Sequence, residues 1–210
     1  MLTSRARFRA LWLGALALGY AAFLVWYGGS GSPVTAAEGR VYLERLRATP
    51  EGTEHPDLLR AVEDLIAHDD GREFFMANLI SMRPGPEAAA HDAAYSRAVA
   101  PALLRHGCFP IYLGQVRGVL LGDDGTGVNR VAIVRYRSLR DFLDIFADPA
   151  MSEGAKHKFA SLSHTQVIAT TPLVSMLTVR STVALVALLL GCTAWIRAGR
   201  DRRDAARTGA

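Results

Sequence analysis

The chain of 210 residues has room for one globular domain with additional segments, and 50% of its residues are hydrophobic and 21% charged. Its formal net charge of +4 comes from the two ends, because residues 28–172 hold 15 Lys and Arg against 18 Asp and Glu. This distribution argues against nucleic-acid binding, and two cysteines without Cys-x-x-Cys or Cys/His spacing exclude a zinc scaffold.

The first predicted element is a membrane-spanning helix over residues 10–27, which follows a basic tail over residues 1–9. These 18 residues carry no charge, and a helix of that length spans about 27 Å, close to the thickness of the hydrocarbon layer. Trp12 near one end and Trp26 near the other occupy positions that aromatic rings prefer at membrane interfaces. A basic tail followed by an apolar stretch also fits a cleaved signal peptide, and this alternative stays open.

A Gly/Ser linker over residues 28–37 and a helical lead-in over residues 38–71 precede the main domain, residues 72–172. Hydrophobic periodicity and turn residues predict the elements of the lead-in and the domain. In chain order these are helices over 38–47 and 56–68, a strand over 73–82, a helix over 87–106, strands over 109–121 and 130–137, a helix capped by Ser138, a helix over 152–163 and a strand over 165–171. The domain is therefore α+β, and its β-α-β-β-α-β order is that of a ferredoxin-like fold.

A second membrane-spanning helix is predicted over residues 174–196, with Arg180 near its start and a basic tail over residues 197–210 after it. A C-terminal amphipathic helix is the alternative. Short basic tails stay in the cytoplasm, so both termini are expected inside and the central domain outside. The sequence thus predicts a multi-pass protein of the inner cell membrane with an extracytoplasmic domain.

Four segments resemble a known family: FFMANLISMRPG, AYSRAVAPALLRHG, VAIVRYRSLRDFLDIFADP and HTQVIATTP. They are similar to a domain-of-unknown-function family in the dimeric α/β-barrel superfamily, which also holds EthD-like, YCII-like and antibiotic-biosynthesis-monooxygenase-type domains. The resemblance covers about residues 69–172. It implies a four-stranded antiparallel sheet with helices on one face and a homodimer formed through the sheets. Members of the superfamily differ in chemistry, so the resemblance implies no particular reaction.

Polar residues on the predicted strands are candidates to orient a ligand, because strand alternation would point them into the interior of such a dimeric barrel. His157, within the helix predicted over 152–163, is added to this set as a candidate general base or haem ligand. It lies seven residues before His164 and could approach that residue only if the helix persists. The candidate ligand-binding residues are Asn78, Tyr112 or Gln115, Tyr136, His157 and Gln166. The alternative is that these side chains are solvent-exposed or hydrogen-bonded across the dimer interface.

No paired carboxylates, nucleophile constellation, dinucleotide loop or metal-ligand spacing can be identified, so no cofactor or metal is expected. Cys108 is expected to be a buried small residue. These patterns favour a membrane-anchored module that binds a small molecule or a partner. The alternative is a cofactor-poor enzyme, of the oxygenase or isomerase kind, acting on a small hydrophobic substrate.

Overall fold

A computed structural model describes residues 4–29, 31–49, 52–53, 55–123, 125–173 and 179–208. The chain divides into two compact units. Residues 28–174 form one unit, and residues 1–27 together with 175–210 form the other, which is helical.

The larger unit contains four strands and five helices among its described residues. These elements are α2 (Ala36–Arg47), α3 (Pro56–Ala67), β1 (Phe74–Met82), α4 (Pro86–Arg105), β2 (Phe109–Gln115), β3 (Arg130–Tyr136), α5 (Leu139–Phe146), α6 (Pro149–Ser161) and β4 (Leu162–Thr170). The local sequence explains where several of these helices begin. Thr35 and Glu38 form a capping box at the start of α2, and proline stands at the start of α3 and of α4.

The four strands form one sheet in the order β2-β3-β1-β4, and all neighbouring strands are antiparallel. In the register, Met76 pairs with Val134 on β3 and with Ala169 on β4. This strand order and the intervening helices confirm the predicted α+β, ferredoxin-like β-α-β-β-α-β arrangement.

The hydrophobic core lies on one face of the sheet, which is covered by helices. Met76 and Tyr136 from the sheet belong to one buried cluster with Phe142 of α5, and so do Leu43 of α2 and Val62 of α3. The helical lead-in is therefore part of the same core. Polar contacts join α2 to α5 as well: the Tyr42 hydroxyl donates to Asp144 at 2.5 Å, and Arg140 forms an ion pair with Glu38 at 2.6 Å.

The start of α5 is fixed by a buried carboxylate. Asp141 is 5% exposed and accepts hydrogen bonds from Arg137 Nε at 2.8 Å and from Ser138 Oγ at 2.6 Å. Burial raises the pKa of Asp141, but the hydrogen bonds from Arg137 and Ser138 outweigh it and hold that pKa below its ordinary value. Ser138 Oγ also accepts from the Asp141 backbone N–H, which confirms the predicted helix cap.

The end of β2 and the start of β4 differ from the sequence prediction. β2 ends at Gln115, which pairs with Arg130, whereas the sequence predicted a strand up to residue 121. One more backbone hydrogen bond follows, from Val116 N–H to the Asn129 carbonyl at 2.9 Å, and the chain then leaves the sheet because β3 begins at Arg130. Leu120 and Leu121 are then almost fully exposed. β4 begins at Leu162 directly after α6, three residues before its predicted start.

The helical unit consists of α1 (Ser4–Gly28) and α7 (Val179–Thr208). The two helices contact each other: the Arg9 guanidinium lies over the Trp195 ring, 4.7 Å from its centroid. Among the described residues, length and composition qualify one stretch, Arg7–Gly28, to cross a membrane, and the apolar part of α7 covers the 16 residues Thr182–Arg197. The first five residues of the predicted second span, 174–178, lie outside the described residues, so the two-span arrangement stays a prediction.

Candidate functional site

A cavity of about 1050 Å³ lies within the larger unit, between the helix-covered face of the sheet and the helices. Every element of the β-α-β-β-α-β domain except β2 contributes to its lining, and α3 contributes Leu58 and Ala61. The volume is at the upper end of the range of about 300–1,000 Å³ that small-molecule sites occupy.

The wall of the cavity is mainly apolar and aromatic. Tyr136 lies edge-on to Phe142 with 5.1 Å between ring centroids, and Phe142 contacts Phe146 at 5.7 Å. These rings are held by packing on both sides, which gives the wall a fixed shape. The apolar lining residues are Leu58, Met76, Val99, Leu103, Val134, Phe142, Phe146, Met151, Phe159, Leu162 and Val167.

Two tyrosine hydroxyls interrupt this apolar wall. Burial raises the pKa of Tyr136 above its ordinary value, and burial followed by the charge of Asp92 raises the pKa of Tyr95. Both phenols therefore stay protonated at neutral pH. Neither hydroxyl has a hydrogen-bond partner among the described residues, so both are free to donate to a bound molecule.

Asn78 places an amide on the sheet side of the cavity. Its Nδ2 donates to the backbone oxygens of Met76 at 3.1 Å and Ala132 at 3.3 Å, which fixes the orientation of the side chain. The remaining Oδ1 accepts no hydrogen bond from any described residue. Asn78 thus offers one acceptor next to the phenol donors.

Two further polar groups come from the segment where α6 passes into β4. Lys158 is partly buried, and its Nζ lies 6.0 Å from the centroid of the Phe159 ring. Burial lowers the pKa of Lys158, and no carboxylate of the described residues forms an ion pair with it. The Oγ1 atom of Thr165 is buried and has no hydrogen-bond partner within the described part of the chain.

The outer rim of the cavity is formed by residues that face solvent. The side chain of Asp57 is 83% exposed and forms an ion pair with Arg60. His55 is exposed, and its ring lies 6.2 Å from that of Phe159. The charge of Asp57 is therefore screened by water and by its own partner, away from the buried groups.

The sequence-predicted candidates fall into two groups. Asn78, Tyr136 and Gln166 line the cavity, whereas Tyr112 and Gln115 are exposed and do not. The sequence predicted that these residues share one face of the sheet inside a barrel, but the strand register places them on two faces. Asn78 and Tyr136 lie on the helix-covered face, and Tyr112, opposite Ile133, lies on the other face. Strand alternation separates two faces but does not show which one the helices cover.

His157 does not line the cavity. Its Nδ1 lies 2.9 Å from Nδ1 of His91, and this hydrogen bond joins α6 to α4. The helix ends at Ser161, so the predicted approach of His157 to His164 along one helix does not occur. Cys108 is fully buried, and burial raises its pKa to about 11, so its sulfur is a packed thiol as expected.

Sequence reasoning missed Tyr95, Lys158 and Thr165 as members of the site. Tyr95 lies at helical spacing from Ala98, Val99 and Ala102 in the helix predicted over 87–106, so a hydroxyl within an apolar stripe was the available signal. Lys158 is one of only two lysines in the chain, but nothing in its sequence neighbours indicates burial. Thr165 lies on a predicted strand, and its sequence neighbours do not indicate that its hydroxyl is buried.

No family model and no curated protein matches the chain. Among solved structures, it is similar to the RPA0582 protein of unknown function from Rhodopseudomonas palustris, with a TM-score of 0.51 and 28% identity over 55% of this chain and 94% of that one. It is also similar to a hydroxynitrile lyase from Passiflora edulis, with a TM-score of 0.40 and 16% identity over 50% of this chain and 97% of that one. SnoaB, a cofactor-independent oxygenase from Streptomyces nogalater, gives a TM-score of 0.37 and 17% identity over the same shares, 50% and 97%.

Together with the strand order, the likeness to the R. palustris protein is consistent with the predicted resemblance to the dimeric α/β-barrel superfamily. The lyase and the oxygenase are below 20% identical to the chain and say nothing about its activity.

Proposed function

We propose that the larger unit binds a small molecule with an apolar body in the cavity between sheet and helices. The observation that carries this proposal is the cavity of about 1050 Å³ itself, which is lined by aromatic and aliphatic side chains with a few polar groups among them. Apolar surface that leaves water in such a site contributes about 25 cal/mol per Å². Tyr95, Tyr136 and Asn78 would then orient the ligand by hydrogen bonds.

The lining favours binding over acid–base catalysis. A general acid–base mechanism needs a titratable group poised near the working pH and within reach of the reacting atom. Burial moves the pKa values of both lining tyrosines away from neutrality, and Asp57 lies at the solvent-exposed rim. The other titratable side chains of the lining, His55, Lys158 and His164, form no ion pair or hydrogen bond with a carboxylate of the described residues, so no acid–base pair is assembled there. The cofactor-poor enzyme that the sequence left open is thus the less favoured interpretation.

The test is calorimetric titration of the full chain, in nanodiscs of zwitterionic lipid, with 2-naphthamide as a neutral aromatic probe. Empty nanodiscs measure partition into the lipid. Ala155→Trp places an indole in the cavity wall, and Ala100→Trp places the same group on the exposed side of α4 as a matched control. We expect saturable binding that Ala155→Trp weakens about tenfold, equivalent to about 1.4 kcal/mol, while Ala100→Trp leaves it unchanged. Equal binding by all three proteins would refute the cavity as the site.

The binding unit is further proposed to be held outside the cytoplasm by two membrane spans, residues 10–27 and 174–196. Support comes from the apolar stretch Arg7–Gly28, from the apolar part of α7 and from the basic tails that flank both. A ligand-binding domain tethered in this way would meet apolar molecules at the membrane surface.

Reporter fusions test this topology. Alkaline phosphatase joined after Ala37 or after Pro172 is expected to be active, and the same enzyme joined at Ala210 is expected to be inactive. Activity at Ala210 would contradict the proposal, because it would place the C-terminus outside the cytoplasm.

A homodimer formed through the helix-free face of the sheet is the proposed assembly. Ile168 lies on that face and is 41% exposed, which fits a surface that a second copy covers. Ile168→Glu should therefore convert a dimer to a monomer in analytical ultracentrifugation of the solubilised full chain. Leu104→Glu, at an exposed position of α4, is the matched control and should leave the dimer intact. A dimer that survives Ile168→Glu would rule out this face.

A further inference from the structure

Two hydrogen-bond donors of the cavity are not used within the described part of the protein. Lys158 has no acidic partner there, and the buried Thr165 Oγ1 has no acceptor. A hydroxyl shielded from water without a partner is destabilising, and so is a partly buried ammonium without a counter-charge. Groups left in this state within a cavity are suited to a ligand that supplies the missing acceptors.

The nearby acidic groups are already engaged. Asp57 pairs with Arg60 at the rim, where its side chain is 83% exposed. Glu153, on the same helix as Lys158, pairs with Lys156 at 2.8 Å, and both of these side chains are largely exposed. The cavity lining therefore carries a half-buried lysine side chain that no described carboxylate neutralises.

We infer that the ligand is an amphipathic anion, with an apolar body against the aromatic wall and a carboxylate that meets the Lys158 ammonium and the Thr165 hydroxyl. This inference rests on the proposed function and names the class of molecule that the same cavity takes. The tyrosine hydroxyls also donate, so the polar groups around the cavity consist mainly of donors, which suits an electron-rich head group. A cationic ligand would find no described counter-charge in the buried part.

The inference is tested with a matched pair of probes, 2-naphthoate and 2-naphthamide, which share one aromatic body and differ in the charge of the head group. Both are titrated calorimetrically into the full chain in zwitterionic nanodiscs, with empty nanodiscs as the blank. We expect the naphthoate to bind about tenfold or more tightly than the amide, because hydrogen bonds to a charged group are stronger than those between neutral groups.

Variants assign this preference to a residue. Lys158→Met should lower the affinity for naphthoate to that for the amide in the same variant, whereas Lys158→Arg should retain the preference. Lys156→Met removes the same charge from an exposed position on the same helix and should change nothing. Thr165→Val should weaken naphthoate binding about fivefold more than it weakens amide binding, which corresponds to the loss of about 1 kcal/mol from one hydrogen bond.

The outcomes separate this inference from the proposed function. If neither probe binds saturably, both fail. If the amide binds in the cavity and the naphthoate binds no better, the inference of an anionic ligand is overturned and the proposed function stands. A naphthoate preference that persists in Lys158→Met would overturn the role of this residue.

Discussion

Thr165→Val is the substitution that most clearly distinguishes a binding group from a structural one. Valine is close in shape to threonine and is equally suited to a strand, so β4 should keep its conformation. The change removes a single buried hydroxyl that has no partner among the described residues. We therefore expect the variant to be more stable than the natural chain while it loses affinity for a carboxylate.

The magnitude follows from the burial of this hydroxyl. Leaving a hydroxyl unpaired away from water costs about 1–3 kcal/mol in protein mutational data, so its removal should raise the free energy of unfolding by about 1–2 kcal/mol. Thr170→Val on the same strand is the matched control, because the Thr170 hydroxyl donates to the Phe75 carbonyl at 3.0 Å. Loss of that bond should lower the free energy of unfolding by about 1 kcal/mol.

The assay is thermal unfolding of the full chain in nanodiscs, followed by near-ultraviolet circular dichroism of the packed aromatic rings. A change of 1 kcal/mol shifts Tm by about 2–4 °C in a domain of this size. The two valine variants should therefore shift Tm in opposite directions. A loss of stability in Thr165→Val that matches Thr170→Val would show that the Thr165 hydroxyl is satisfied within the protein, which would remove it from the ligand site.

Three further predictions concern charge and backbone conformation. Burial lowers the pKa of Lys158 below its ordinary 10.5, so the folded protein loses this proton at a lower pH than the unfolded chain does. The free energy of unfolding should therefore rise with pH just below 10.5, and urea unfolding of Lys158→Met should lack this rise. Asp141→Asn should cost about 3–5 kcal/mol at pH 7, because it leaves Arg137 without its buried partner. Since the pKa of Asp141 is lowered below 3.8, this stabilisation is present above pH 3.8 and is lost as the pH falls further; an equally steep acid transition in the variant would contradict the assignment. Gly107→Ala should cost about 1 kcal/mol in the same urea assay, because Gly107 ends α4 with φ at +65°, and an unchanged midpoint would argue against that conformation.

Much of the fold could be predicted because its signals are local. The strand at Phe74–Met82 follows from its run of apolar residues, and α4 follows from an N-terminal proline and a C-terminal glycine. The end of β2 at Gln115 could not be predicted, since it depends on where β3 begins to offer a partner. Residues 116–121 remain apolar enough to resemble a strand, but beyond the hydrogen bond from Val116 to Asn129 no described strand pairs with them.

The candidate site was predicted in part. Asn78 and Tyr136 were identified by polarity within strands, and both line the cavity. The sequence alone could not exclude His157 from the site, because its hydrogen bond to His91 joins two helices that are far apart in the sequence. Lys158 could not be predicted as a site residue. It lines the cavity because α6 packs near α3 and the sheet, and the residues next to Lys158 in the sequence do not indicate such packing.

The central claim, that the cavity and not the helix-free face of the sheet takes the ligand, is tested most directly by fluorine NMR. The full chain is labelled with 3-fluorotyrosine, and the resonances are assigned with Tyr→Phe variants. Addition of 2-naphthamide is expected to shift the Tyr95 and Tyr136 resonances, which report on the cavity, and to leave that of Tyr112 on the opposite face unchanged. A shift of Tyr112 with Tyr95 and Tyr136 unmoved would contradict the account and place the ligand on the helix-free face.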